Sequence, residues 1–347
     1  MKLRSILQRT AWCALCVVVL DAAGAASAPP RHDLYLAASI NSSSRVMGGG
    51  SGLTALDGIY FRAAGTSEFR HVGINLPLLI TVAVDPRDSQ QIYAAGLSGV
   101  MRSRDGGQTW RIVTGWAETE PKSLALDPLQ PDFVYSGLPD GFVLSRDQGQ
   151  TWQRAESGLP ERGKYTQCLQ VDRTTSGRIF IGCESGIYLT EDGAQNWRRV
   201  LETTDTVNDI QQSPHDAAHW VAVSQSAGAL ESRDGGRTWQ RLTDVPHEHA
   251  LYNVAFHATQ PSHLAIASWT YGLWVSEDGG RTWVERNAGL PLPHRVWRTA
   301  FDPDTGALYA AVFENAIFSS VDLGRNWTKL GMEGSVVRSF VFVPRPR

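Results

Sequence analysis

The sequence predicts an all-β fold, a seven-bladed β-propeller of four-stranded antiparallel blades, on three observations. One octapeptide recurs six times, the copies are separated by the length of one blade, and each end of the chain carries a piece of blade that only the other end can complete.

The octapeptides are Ser103 to Trp110 (SRDGGQTW), Ser145 to Trp152 (SRDQGQTW), Thr190 to Trp197 (TEDGAQNW), Ser232 to Trp239 (SRDGGRTW), Ser276 to Trp283 (SEDGGRTW) and Ser320 to Trp327 (SVDLGRNW). They resemble the Asp-box, or bacterial neuraminidase repeat, S-x-D-x-G-x-T-W. Ahead of each box run a short apolar strand, a turn such as Asp85-Pro86 or Asp127-Pro128, a second strand such as Ile92 to Ala95, and a third strand opened by glycine. Aligning on that lead exposes a seventh, decayed copy, with Gly58 to Phe61 as the third strand, Ala64 in place of the box Asp, Gly65 at the glycine and Phe69 at the Trp. The seven central positions then lie 41 to 45 residues apart, room for four short strands.

The ends complete the count. Residues 33 to 39 read as the second strand of a blade with no first strand before it, and 336 to 343 read as a first strand with no blade after it. Pairing them closes the ring and removes two exposed sheet edges. The whole of 26–347 is expected to be this one propeller.

The residues before it read as a secretory signal peptide spanning 1–25: Lys2, Arg4 and Arg9, an apolar run from Ala11 to Leu20, and small residues around a cut after Ala25. The run is too short to span a bilayer, so the expectation is a periplasmic or secreted monomer that does not cross the membrane. After that cut 29 basic residues face 34 acidic ones, a net charge of −5. A mildly acidic surface does not fit a nucleic-acid partner.

The box residues Asp105, Asp147, Asp192, Asp234, Asp278 and Asp322 are read as structural. A tight hairpin needs glycine where φ is positive and side-chain acceptors for its turn amides, and Asp with Ser or Thr supplies them. Strand order puts the boxes and the Asp-Pro turns on one face. The blade-to-blade and second-to-third connections share the other, where binding residues on a rigid scaffold concentrate. One of these loops runs from Ser42 to Leu56. The innermost strands begin there with Ile80, Lys122, Gln167, Asn208, Tyr252, Trp297 and Arg338, followed by Thr81, Ser123, Cys168, Asp209, Asn253, Arg298 and Ser339. The candidate site for a partner or ligand is therefore Lys122, Asn208, Asp209, Tyr252, Trp297, Arg298 and Arg338 at the channel mouth, with Trp269, Tyr271 and Glu314 nearby.

Catalytic signatures are wanting. The nearest approach to the F-R-I-P motif of Asp-box sialidases is Phe61-Arg62-Ala63-Ala64, inside the decayed box on the wrong face, and Asp-box xyloglucanases use two facing propellers where one is read here. His247-Glu248-His249 lies in a loop without a third ligand. No catalytic residue, metal or cofactor is expected. Cys168 and Cys183, at the upper ends of adjacent strands, are candidates for a cross-strand disulfide, the alternative being two packed thiols.

Across nearly the whole mature chain the pattern resembles bacterial proteins similar to the photosystem II stability and assembly factor, and more distantly sortilin. The resemblance implies a non-catalytic propeller that holds a protein client, such as a membrane-complex subunit, during assembly. Trp116, Trp269, Tyr271 and Trp297 as stacking platforms keep a glycan partner open as the alternative, whether bound or hydrolysed.

Overall fold

The computed structural model describes residues 31–40, 56–76 and 78–345. The expected signal peptide and the greater part of the Ser42 to Leu56 loop lie outside the described residues. Among the described residues there are strands and turns only, and no helix is long and apolar enough to cross a membrane.

Blades two to six are separate four-stranded antiparallel sheets: Thr81–Val84 to Arg111–Ile112, Ser123–Leu126 to Gln153–Arg154, Cys168–Val171 to Arg198–Glu202, Val207–Gln212 to Gln240–Arg241 and Leu251–Phe256 to Val284–Glu285. Blade seven begins at Val296–Phe301 and shares its last strand, Thr328–Pro344, with blade one. That strand of 17 residues stays with blade seven as far as Ser335 and from there pairs along His32–Ile40, so blade one is closed by the C-terminal strand.

Within each blade the second strand is buried along its length, as in Ile92–Gly96, Ile179–Cys183 and Leu308–Val312. Its β-branched and aromatic residues pack against both neighbouring blades, and its alanines and glycines let the sheets approach near the axis. The outermost strands of blades two, three, five and six are two exposed residues each, too short to template pairing with another chain.

The boxes are hairpins held by their own side chains. In the first, Ser103 Oγ donates to Asp105 Oδ1 at 2.7 Å and accepts from Gly107 N at 2.8 Å. Asp105 accepts the Thr109 amide at 2.8 Å and the Thr109 hydroxyl at 2.5 Å. In the blade-five box the second glycine is sterically required: a Cβ on Gly236 would lie 2.3 Å from the Phe180 ring of the preceding blade. The boxes of blades two to six also bond to their own blade's first turn, as Gly235 N does to Ala218 O at 2.8 Å, which puts boxes and Asp-Pro turns on one face.

The decayed box is rebuilt with different chemistry. Phe61 pairs with Arg70 as Arg102 pairs with Arg111, so Phe69 stands at the Trp position, Gly65 (φ 76°) matches Gly106, and Thr66 takes the place of Gly107. Arg62 stands where the box serine should be. Its guanidinium is buried against Asp302 of blade seven at 3.1 Å and the Tyr309 hydroxyl at 2.9 Å, over the ring of Phe69. The seam between first and last blades is further tied by Asp304, which accepts Arg31 N at 2.7 Å and His32 N at 2.8 Å, and by an Arg345–Asp33 ion pair at 2.7 Å.

The disulfide weighed between Cys168 and Cys183 is not formed, and both thiols are free and buried. Register explains the correction. Cys168 lies opposite Gly182, not Cys183, so the two side chains leave the sheet on opposite faces. Cys168 packs with Phe180 and Val207, while Cys183 packs with Tyr135 and Ile181.

Candidate functional site at the channel mouth

The innermost strands surround an axial channel of about 590 Å³. Four of the residues expected at its mouth share one backbone feature. In blades five, six and seven the register skips Asn208, Tyr252 and Trp297, and in blade one it skips Arg338. Each is the extra residue of a β-bulge, the device by which a strand bends and re-aims a side chain. In blades two, three and four the equivalent residue ends the strand, donating its N–H to the carbonyl opposite its successor: Ile80 to Ala95, Lys122 to Gly137 and Gln167 to Gly182.

The next residue along differs in role in blades three to seven. Ser123 Oγ donates to Thr166 O at 3.5 Å, Cys168 Sγ to Val207 O at 3.4 Å, and Asp209 accepts Val254 N at 3.0 Å. Asn253 exchanges two bonds with the Thr299 backbone, both 2.9 Å, and Arg298 Nε donates to Arg338 O at 2.8 Å. Each bond runs from one blade to the innermost strand of the next or, at Thr166, to the segment that leads into it. These five residues line the channel and also stitch its staves together, so Asp209 and Arg298 have a structural duty that sequence position did not disclose. Asn208 does likewise through Leu251 O at 2.9 Å.

Above blades four to seven the channel widens into a recess of about 410 Å³ that includes Tyr165, Gln167, Glu184, Asn208, Tyr252, Trp297 and Arg298. Tyr252 stacks obliquely on Trp297 with centroids 4.4 Å apart, and Trp269 meets Trp297 and Phe313 edge-on at 5.8 and 4.6 Å. Cations cover three of the mouth's rings: Lys122 over Tyr165 at 5.7 Å, Arg298 over Trp297 at 5.1 Å and Arg295 over Trp269 at 4.9 Å. Of the residues singled out in the sequence, Tyr271 stands apart, packed on His249 at 5.4 Å, and Glu314 sits exposed on a hairpin tip at φ 52°. Trp116 is 99% exposed on blade two.

Burial sets the electrostatics. It raises the Asp209 carboxyl above its ordinary range and lowers Arg298 and Arg338 below theirs. Arg338 Nε, Trp297 Nε1 and Ser339 Oγ are buried without a protein partner. The mouth therefore holds donors and under-compensated positive charge, which suits an acceptor-rich, anionic group. Among the described residues no group of acidic, histidine and cysteine side chains could hold a metal ion.

Glu184, Gln225 and Phe313 were not singled out in the sequence. The signal was available, since each follows the second strand of its blade at the position Trp269 occupies in blade six.

The comparisons with known proteins agree with the architecture. The photosynthesis system II assembly factor YCF48 family matches residues 66–230, and the Sortilin-Vps10 family matches 185–289. The chain is an Asp-box propeller resembling the photosystem II assembly factors. No curated protein matches this propeller in sequence. Among solved structures it is similar to YCF48 bound to D1 peptide, with 20% identity, a TM-score of 0.56, and coverage of 74% of this chain and 82% of that one. It is also similar to YCF48 from Cyanidioschyzon merolae, with 17% identity, a TM-score of 0.57, and coverage of 74% and 86%. The GH74 xyloglucanase from Xanthomonas campestris matches with 19% identity, a TM-score of 0.64, and coverage of 84% and 52%. The propeller thus spans about half the length of the GH74 structures it matches, and at these identities the likeness carries the fold alone.

Proposed function

We propose that the protein is an exported, non-catalytic propeller that binds a protein client through its loop face, in assembly or support of a membrane or cell-envelope complex. The observation that carries this reading is the run of four bulges in adjacent innermost strands, which aims Asn208, Tyr252 and Trp297 at one recess and sets Arg338 on the channel beneath it. Scaffolds retain bulges where a side chain must be placed. The buried donors of Trp297 and Arg338 and the lowered Arg298 and Arg338 favour an acidic segment of the client. The family likeness to an assembly factor, one of whose relatives is described bound to a peptide, supports the same reading.

The test is capture of envelope proteins by the purified propeller, its Trp297→Leu/Arg338→Gln variant, and an Asp88→Ala control on the box face. A client retained by wild type and control but lost by the mouth variant is the expected result. Equal retention by all three removes the mouth from the interaction.

A glycan is the second reading, favoured by the Tyr252–Trp297–Trp269 aromatic cluster and by the GH74 likeness. Glycan-array binding or turnover of a chromogenic glycoside, abolished by Trp297→Leu, selects it. Silence in both assays eliminates it.

A further inference from the structure

In blades two to seven the first turn, on the box face, is closed by one side chain that accepts turn amides. Asp85, Asp127, Asp172 and Asp302 do so through a carboxylate, as when Asp302 takes Asp304 N at 2.9 Å and Thr305 N at 3.1 Å. Ser213 does so in blade five, accepting His215 N at 3.2 Å. Blade six has His257 in this place. Its Nδ1 accepts Thr259 N and Gln260 N, both at 3.1 Å. An imidazole nitrogen can accept only while it carries no proton, so this turn needs the neutral ring, with its proton on Nε2.

The same residue joins three blades. His215 of blade five bonds the His257 backbone carbonyl through Nε2 at 2.9 Å. The imidazole packs on Phe301 of blade seven with centroids 4.9 Å apart. It also makes a hydrogen bond to the Gly306 backbone in blade seven's own first turn. The fit there is close, since a Cβ on Gly306 would lie 2.7 Å from Nε2.

We infer that the box-face joint between blades five, six and seven is a pH-sensitive latch, closed by the neutral imidazole of His257 and opened when Nδ1 takes a proton from solvent. The added proton would point at two amide protons already directed at that nitrogen, and the turn must give up both bonds to admit it. The charged and titratable groups around the ring do not compensate. His263 on blade six lies 5.5 Å away, ring to ring, and His215 approaches from blade five. Also on blade five, His219 packs near Phe256 and is 2.9 Å from Glu231, which Arg233 shares at 2.6 Å. On blade seven, Asp302 is held by Arg62 and Tyr309, and Asp304 by the N-terminal strand. Burial, followed by the charges of His263 and His215, holds His257 below the ordinary histidine range, with the Gly306 bond opposing. A lowered folded value means the unfolded chain binds the proton first. Stability is therefore fully present above the ordinary histidine range and is lost as pH falls through the folded value. This latch does not depend on what the opposite face binds.

The experiment compares thermal midpoints of the full chain between about pH 7.5 and about pH 5 for wild type, His257→Asp, which installs the carboxylate used in four other blades, and His219→Gln as a control for the other buried histidine. The expected result is a midpoint that falls with acidity in wild type and His219→Gln, by about 3 °C more per pH unit than in His257→Asp. Parallel curves for wild type and His257→Asp would overturn the latch. Should His257→Asp fail to fold, the wild-type His257 Cε1 proton resonance decides: titration below the ordinary range of about 6.5 supports the latch and titration at or above it overturns it.

Discussion

Arg62 reaches from the third strand of blade one to Asp302 in the first turn of blade seven, 3.1 Å away, so the ring's first and last blades are joined by a buried ion pair at the one box without its Ser and Asp. The Tyr309 hydroxyl bonds the same carboxylate at 2.5 Å. Removing the guanidinium leaves Asp302 buried with its turn amides and Tyr309 but no positive charge. Arg62→Met should lower unfolding stability in urea by about 3 kcal/mol, and Arg62→Met/Asp302→Asn should lose less than the sum of the single changes. Additive losses would mean that the pair does not act as a unit.

Closure by the borrowed strand makes a sharper prediction. Deleting residues 336–347 removes the innermost strand of blade one and exposes an edge along His32–Ile40, the strand it pairs. The truncated chain should lack a single cooperative thermal transition and should self-associate in light scattering. A monomeric truncation with an unchanged midpoint would show that the ring closes without that strand.

Most of this architecture is legible in the sequence because it is written in local chemistry. The boxes carry their own hydrogen-bond partners within eight residues, so six copies identify themselves, and their spacing fixes where each strand of Ala, Val and Ile must fall. Face assignment then follows from strand order. The rest depends on pairing between strands. Nothing in Asn208, Tyr252, Trp297 or Arg338 announces a bulge, because a bulge is a count of residues against a partner strand. For the same reason Cys168 and Cys183 look adjacent until the register sets Gly182 between them. The roles of Arg62, met in the sequence only as part of Phe61-Arg62-Ala63-Ala64, and of His257 are hidden because each performs another residue's task, and their partners come from a neighbouring blade.

The box carboxylates predict acid behaviour in a window separate from that of His257. The Thr109 hydroxyl holds Asp105 down to about 2, Thr282 does the same for Asp278, and the Asn326 side-chain amide does so for Asp322. Because these folded values are depressed, the stabilisation is complete above the ordinary aspartate range of about 4 and is lost as pH falls towards about 2. Circular dichroism during acid titration should therefore show the main loss of strand structure below about pH 3. Asp105→Asn combined with Asp278→Asn should make that loss less steep, since fewer protons are taken up on unfolding. An unchanged slope would place the acid-sensitive groups elsewhere.

The two cysteines allow a test of the register itself. Burial pushes the Cys183 thiol up to about 12 and raises Cys168 as well, so neither supplies the thiolate that reagents attack. Each is also held in place: Cys183 contacts Thr166 Oγ1 at 3.6 Å, and Cys168 donates to Val207 O. Both should resist a disulfide-exchange reagent in the native protein and react fully in denaturant, and a reductant should leave the melting temperature unchanged. A sheet that sets two side chains on opposite faces cannot bond them without a shift of one residue, and such a shift would move every core residue of that strand to the opposite face, against the wrong neighbouring blade. An intact mass two hydrogens short, with thiols released by reductant alone, would therefore contradict the pairing of Cys168 with Gly182 and the packing of blade four built on it.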